Sequence, residues 1–265
     1  MTYTVGINTG AFRTGTFSVA SQTFTVYQAP QSGVPPIISV AGVVNGASGI
    51  GGALIPGEFV SIYGDKVGPA QPVVSKFMER GLGYTRAFFN GIEAFLTYTS
   101  TGQMNALVPY GVGESDLVEV QIEYQAMKSN SIVQPVAASS PAIFTQQYGA
   151  GQAWVVNQDQ TFNSDKNPAE LGSFAVFWAT GQGLVDPAGK DGEAIIAPNF
   201  PAPKLPVKVS MGGVEAEVVF AGLIYTGVLQ VNVKIPMTVA PANDVPLLLT
   251  IGTVRSRSEV TLAVR

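Results

Sequence analysis

The chain has 265 residues, with 18 acidic against 14 basic side chains (formal net charge −4) and neither cysteine nor histidine. Those absences exclude disulfides, thiolate and imidazole metal ligation, a cysteine nucleophile and the Ser–His pair of many hydrolases. Charged residues make up only 12%, against about 25% in an average chain, so there is no basic stripe for nucleic acid and no run of the ~18–20 apolar residues that a membrane span needs.

With 30 glycines and 18 prolines, the composition predicts many short strands joined by tight turns, in two domains or more. The opening "MTYTVGINTG" has neither the charged start nor the apolar centre of a signal peptide. The sequence therefore reads either as cytoplasmic or as a mature or excised piece of something longer. Residues 1–29 form a short β segment, in which "TYTVGIN", "GTFSVA" and "TFTVYQ" alternate with period two and "NTG" and "ASQ" supply turns. Three strands this short are marginal alone. They must pack on the rest, pair with another chain, or close a truncated domain. "APQSGVPP" at 29–36 is an extended linker rich in proline, whose core is 30–36.

From Ile37 the chain writes one pattern twice. "GVVNGAS" and "WVVNQDQ" match at Asn45 and Asn157, and "PGEFVSIYG" and "LGSFAVFWATG" match at Gly57 and Gly172. "GIEAFLTYTSTGQMNALVP" and "GVEAEVVFAGLIYTGVLQVNVKIP" match at Gly91 with Gly213 and Gln103 with Gln230. "KSNSIVQPVA" and "RSRSEVTLAV" match at Ser129 and Ser256. Five anchors in one order identify a tandem duplication. Strands are expected in the first copy at 37–44, 58–63, 87–90, 93–99, 103–108, 117–124 and 131–137, with Asn90-Gly91 and Gly212-Gly213 as hairpin turns. Seven strands per copy at turn spacing predict an all-β protein. It consists of two tandem immunoglobulin-like (IPT/TIG-type) β-sandwiches, at 37–138 and 139–265, preceded by the short β segment. The junction "VAASSPAIF" is short, which limits flexing, and duplicated sandwiches of this kind pack end to end.

"NQDQTFNSDKNP" (157–168) has the Asn and Asp that favour turns; as oxygen donors they also suit calcium, with Asp159, Asn163 and Asp165 as ligands. The EF-hand spacing and closing Glu are absent. No other cofactor is expected. Asp186, Asp191 and Glu193 are close enough in sequence for a glycosidase pair, though three acids on a Gly/Pro loop are ordinarily solvated. "TGQG" at 180–183 lacks the spacing of a phosphate loop. Among aromatic residues, Trp154 and Tyr148 lie in or beside a Gly-rich stretch and are the candidate sugar contacts; Trp178, on a strand apolar on both faces, is expected in the core.

"GVVNGASGIGGALIPGEFVSIYGDKVGPA", "GQMNALVPYGV", "SPAIFTQ", "VVNQDQTFNSDKNPAELGSFAVFWATGQGLVDPA" and "LQVNVKIP" together resemble an uncharacterised C-terminal domain of secreted acidobacterial (Solibacter-type) proteins, over roughly residues 37–265. "RTGTFSVASQTFTVYQ" resembles the last strands of a BACON domain, a bacterial β-sandwich module often attached to carbohydrate-active proteins. The resemblance implies an extracellular or cell-surface module at the end of a larger secreted chain, and carries over no functional residue. The expected function is non-enzymatic, structural or adhesive, with self-assembly through residues 1–29 captured by a neighbour's sheet edge. The expected partners are other subunits or the rest of the secreted chain. A carbohydrate-binding module is the alternative, and a carboxylate-dependent glycan hydrolase stands third.

Overall fold

A computed structural model describes residues 4–265. Its opening element is a hairpin of β1 (Arg13–Val19) and β2 (Gln22–Gln28), closed by Ala20 and Ser21 at φ 48° and 65°, the left-handed pair of a two-residue turn. Phe17 and Phe24 are paired in register and their rings stack at 5.5 Å. Thr2 and Tyr3 of the first expected strand lie outside the described residues. Residues 4–8 join no ladder and are held by separate bonds, the Asn8 carbonyl accepting Gln31 N at 2.9 Å. Arg13 and Gln28 both donate to the Gly6 carbonyl, at 3.2 and 2.6 Å, and buried Asn8 donates to the Ala11 carbonyl at 2.8 Å. The hairpin leans on the first sandwich through Phe12 and Tyr27, whose rings meet Tyr84 at 5.1 and 6.4 Å.

The first sandwich contains β3 (Ile37–Asn45), β4 (Phe59–Asp65), β5 (Val73–Glu79), β6 (Thr85–Phe89), β7 (Ile92–Glu93), β8 (Leu96–Thr99), β9 (Gln103–Leu107), β10 (Leu117–Tyr124), β11 (Met127–Lys128) and β12 (Ile132–Pro135). One sheet runs β3-β4-β9-β8-β5. The other runs β11-β10-β6-β7, with β12 also on β10. An immunoglobulin-like sandwich places strands A, B, E and D in one sheet and C, F and G in the other. Here β3, β4, β9 and β8 fill the first set, and β6, β10 and β12 the second. The stretch expected as one strand over 93–99 is divided, because the chain crosses between sheets at Ala94 and Phe95. The crossing buries Ala94. Strand β5 was not expected. It is an edge strand whose Val74 and Phe77 face solvent and whose Lys76 breaks the apolar alternation.

The second sandwich repeats the wiring with β13 (Ala142–Ile143), β14 (Gly151–Gln152), β15 (Val155–Asn157), β16 (Phe174–Thr180), β17 (Val185–Asp186), β18 (Ala202–Pro203), β19 (Val207–Met211), β20 (Val214–Tyr225), β21 (Val228–Lys234), β22 (Ala242–Ile251), β23 (Val254–Arg255) and β24 (Val260–Val264). Strand β20 pairs with β19 at its start and with β21 afterwards, so one long strand serves both sheets where the first copy has β7 and β8. Asn90-Gly91 and Gly212-Gly213 all have positive φ, as the type I′ turn demands.

Each sandwich has its own core. Phe89, Leu96, Met104 and Ile122 are fully buried in the first, Phe177, Leu229, Leu249 and Leu262 in the second. Each such side chain contributes about 1.5–3 kcal/mol. The duplicated anchors make duplicated bonds. Gln103 Nε2 donates to Asn105 Oδ1 at 2.9 Å, as Gln230 Nε2 does to Asn232 Oδ1 at 2.9 Å. Ser129 Oγ accepts Ile122 N at 3.0 Å, as Ser256 Oγ accepts Leu249 N at 3.0 Å. In both copies the last strand region also bridges in parallel to an early segment: Leu54 with Val136, Ala169 with Val264, and β14 with β24. No helix among the described residues is long and apolar enough to cross a membrane.

Candidate functional site

On β4 and β9, alternation sends Val60, Ile62, Met104 and Ala106 into the core and turns Phe59, Ser61, Tyr63, Gln103, Asn105 and Leu107 outward. One end of the second sandwich covers that outward face around Phe59, Ser61 and Leu107 and leaves Tyr63 exposed at its margin, so the two domains pack end onto face, not end to end. Thr180 Oγ1 accepts Phe59 N at 3.0 Å. The Tyr148 hydroxyl meets Ser61 Oγ at 3.1 Å and the Tyr63 hydroxyl at 3.3 Å. The hydrogen bond from Tyr148, with burial second, pushes the Tyr63 hydroxyl up to about 12. Gly227, at the β20–β21 tip, rests on Phe59 and Leu107 so closely that an added Cβ would lie 2.7 Å from Leu107 Cδ1. Asp191 Oδ1 accepts Tyr110 N at 2.9 Å, and Gln182 Nε2 donates to the Gly57 carbonyl at 3.3 Å. The junction itself is tied down by Ser140 N donating to Gly181 O at 2.9 Å.

Beside this seam lies Glu58, 2% exposed. Its carboxyl accepts Ile55 N at 2.7 Å and Asn45 Nδ2 at 3.0 Å. Burial pushes it up to about 8, against the downward pull of those two bonds. It therefore holds a proton at neutral pH. A cavity of about 150 Å³ next to it is also lined by Ser140, Arg255 and Arg257.

Two of the three loop acids have partners of their own, and the third faces solvent. Burial raises the Asp191 carboxyl, which holds the Tyr110 amide in the seam; Glu193 pairs with Lys190 Nζ at 3.1 Å in solvent; Asp186 is exposed. The expected calcium ligands are also divided. Asn163 is 1% exposed and its amide is fully used. It donates to Asn157 Oδ1 (3.0 Å) and Ala263 O (2.8 Å), and accepts Ala263 N (2.8 Å) and Gln152 Nε2 (2.9 Å). Asp159 closes its own turn on Thr161, while Asp165 faces solvent. Among the described residues no three Asp or Glu side chains gather as a metal site would need.

The two expected sugar contacts part company. Tyr148 uses its hydroxyl in the seam, while its side chain stays 49% exposed. Trp154 lies on the outward face of the second sandwich's β15-β16-β21 sheet, 42% exposed, with Phe162 edge-on at 5.6 Å. Trp178 corrects the expectation of a core residue. Ala175, Phe177 and Ala179 point inward, whereas Phe174, Val176 and Trp178 share the outward face with Trp154 and Val156. Sequence reasoning missed this face because both sides of β16 are apolar; the duplication was the available signal. Phe174, Trp178, Gln230 and Asn232 occupy the positions that Phe59, Tyr63, Gln103 and Asn105 hold in the first copy.

Models of known protein families match no part of the chain, and no curated protein matches it. Several solved structures are similar in part. The full extracellular region of plexin A4, domains 1 to 8, is 11% identical with a TM-score of 0.28, over 86% of this chain and 18% of that one. A second form of that region, domains 1 to 10, is 11% identical with a TM-score of 0.27, over 87% of this chain and 16% of that one. The tandem Ig repeats of Dlar are 13% identical with a TM-score of 0.24, over 87% of this chain and 98% of that one. The chain thus spans less than a fifth of the plexin chains' length.

Proposed function

We propose that the chain is a non-enzymatic structural or adhesive module of a secreted or cell-surface bacterial protein, in which the two sandwiches act as one stiff body. The seam is the observation that carries this reading. A spacer or stalk needs fixed geometry, and here a sheet face, a hairpin tip, a tyrosine hydroxyl and a short junction all lock one orientation. The extracellular setting is supported by the resemblance of residues 37–265 to secreted acidobacterial domains. The hairpin adds a means of attachment: among the described residues β2 pairs only with β1, and its outer edge is offered to a neighbour's sheet.

Backbone NMR relaxation tests the stiffness. One rotational correlation time for both sandwiches is expected, and two independent times would overturn the reading. Removing residues 1–36 tests the hairpin, with loss of self-association expected if the strands pair between copies.

A carbohydrate-binding role is the second reading, favoured by the exposed Trp154 and Phe162 on the sheet face that also carries the Gln230 and Asn232 amides. It predicts glycan binding that Trp154→Ala abolishes.

A further inference from the structure

One sandwich end already sits on one sheet face within this chain. The covered face lies on β4 and β9. The covering end is built from the close of β16, the 145–150 loop and the β20–β21 tip. The duplicated face, on β16 and β21, has no such cover among the described residues. We infer that this open face docks a second copy of the chain, which seats there the corresponding end of its first sandwich.

The face is chemically suited to a protein surface. Trp154, Phe162 and Phe174 are 42%, 59% and 43% exposed, and Val156, Val176 and Trp178 complete an apolar strip. The solvent side of an antiparallel sheet is ordinarily polar, and a contiguous apolar strip marks an interaction site. Beside the strip, on β21, Gln230 and Asn232 repeat the amide pair that lies on the covered face. Val176 replaces Ser61, so the open face is the more apolar of the two.

The repeat also identifies the arriving end. Thr180, the last residue of β16, corresponds to Asp65, the last of β4, and Gly227 corresponds to Ser100. Transferring the seam therefore brings Asp65 of one copy to Phe174 of the next and Ser100 onto Phe174 and Lys234. Lys234 pairs in register with Phe174 and stands where the covered face has Leu107. Both Asp65 and Lys234 are exposed, and neither has an ion-pair partner among the described residues. The Phe174 amide, whose counterpart binds Thr180, is already taken by Gln158 Oε1 at 3.0 Å, which leaves Asp65 for Lys234. Face and end are different surfaces, so the contact is head to tail and propagates into a filament or closes into a ring.

This inference rests on the structural reading above in treating the seam as fixed; the relaxation experiment tests that premise separately. The association is tested by sedimentation of the full chain over a concentration series. Mass should rise with concentration, Lys234→Glu and Phe162→Asp should each weaken association by about tenfold or more, and Asp65→Lys should restore it in the Lys234→Glu chain. The absence of native cysteine permits a clean second test. Ser100→Cys and Phe174→Cys chains should cross-link when mixed and not alone, and a chain with both should give a ladder. A monomer at every concentration overturns the inference, as does association that both face variants leave unchanged. Loss of association on removing residues 1–36, with the face variants silent, assigns assembly to the hairpin and overturns it. Glycan binding lost in Trp154→Ala, on a chain that stays monomeric, makes the strip a sugar platform and overturns it too.

Discussion

A carboxyl group buried without a cation keeps its proton, and Glu58 links folding to pH in this way. Unfolded, it ionises near its ordinary 4.5; folded, it holds the proton to about 8. The folded state thus binds more protons between those values. The stabilising contribution is complete below about 4.5 and is lost as pH rises towards 8, with a slope of up to about 1.4 kcal/mol per pH unit. Urea unfolding across that window should show the decline, and Glu58→Gln should remove it. Arg255 and Arg257 line the adjoining cavity, but neither forms an ion pair with Glu58, and Arg257 is paired with Glu259 instead. Asn163→Ala should cost about 3 kcal/mol, since it leaves buried partners on Ala263, Asn157 and Gln152 without their bonds. The same measurement gives the cost. Neither residue's role was legible beforehand. Asn163 stands in an Asn/Asp-rich loop that reads as turn or calcium site, and its main partner lies 100 residues away. Glu58 reads as an ordinary strand-start acid, and the Asn45 side chain that meets its carboxyl lies 13 residues away on β3.

Single elements were easier to read where one local rule decides them. Asn90-Gly91 and Gly212-Gly213 had to turn, because few other pairs accept two successive positive φ values. Period-two alternation placed β4, β9 and β10 closely. It failed at Val73–Glu79, where Val73 packs on the core but Lys76 and the exposed Phe77 break the pattern, and at Phe174–Thr180, where both faces are apolar for different reasons. The β20–β21 tip is decided by contact as well as conformation. Gly227 has φ 82° and lies against Leu107 and Phe59, so Gly227→Ala should destabilise the fold by about 2 kcal/mol or more and loosen the seam. Equilibrium unfolding measures the first effect, and faster proteolysis within residues 136–141 the second.

At the scale of the whole molecule, the all-β class followed from composition, and the doubling of the sandwich from five ordered anchors. The end-onto-face arrangement did not follow, because Phe59, Ser61 and Leu107 look like any outward-facing residues until Tyr148 and Gly227 are seen on them. The parallel bridges described above have a mechanical consequence. In each sandwich the closing strand region lies parallel to an early segment: Val136 beside Leu54, and β24 beside β14 and Ala169. Tension on the two ends of a sandwich pulls such partners in opposite directions along their shared axis. Their hydrogen bonds are then loaded together in shear, instead of being unzipped one after another. A stalk built this way yields at high force in two discrete steps, one per sandwich, and force spectroscopy on the full chain should record both ruptures.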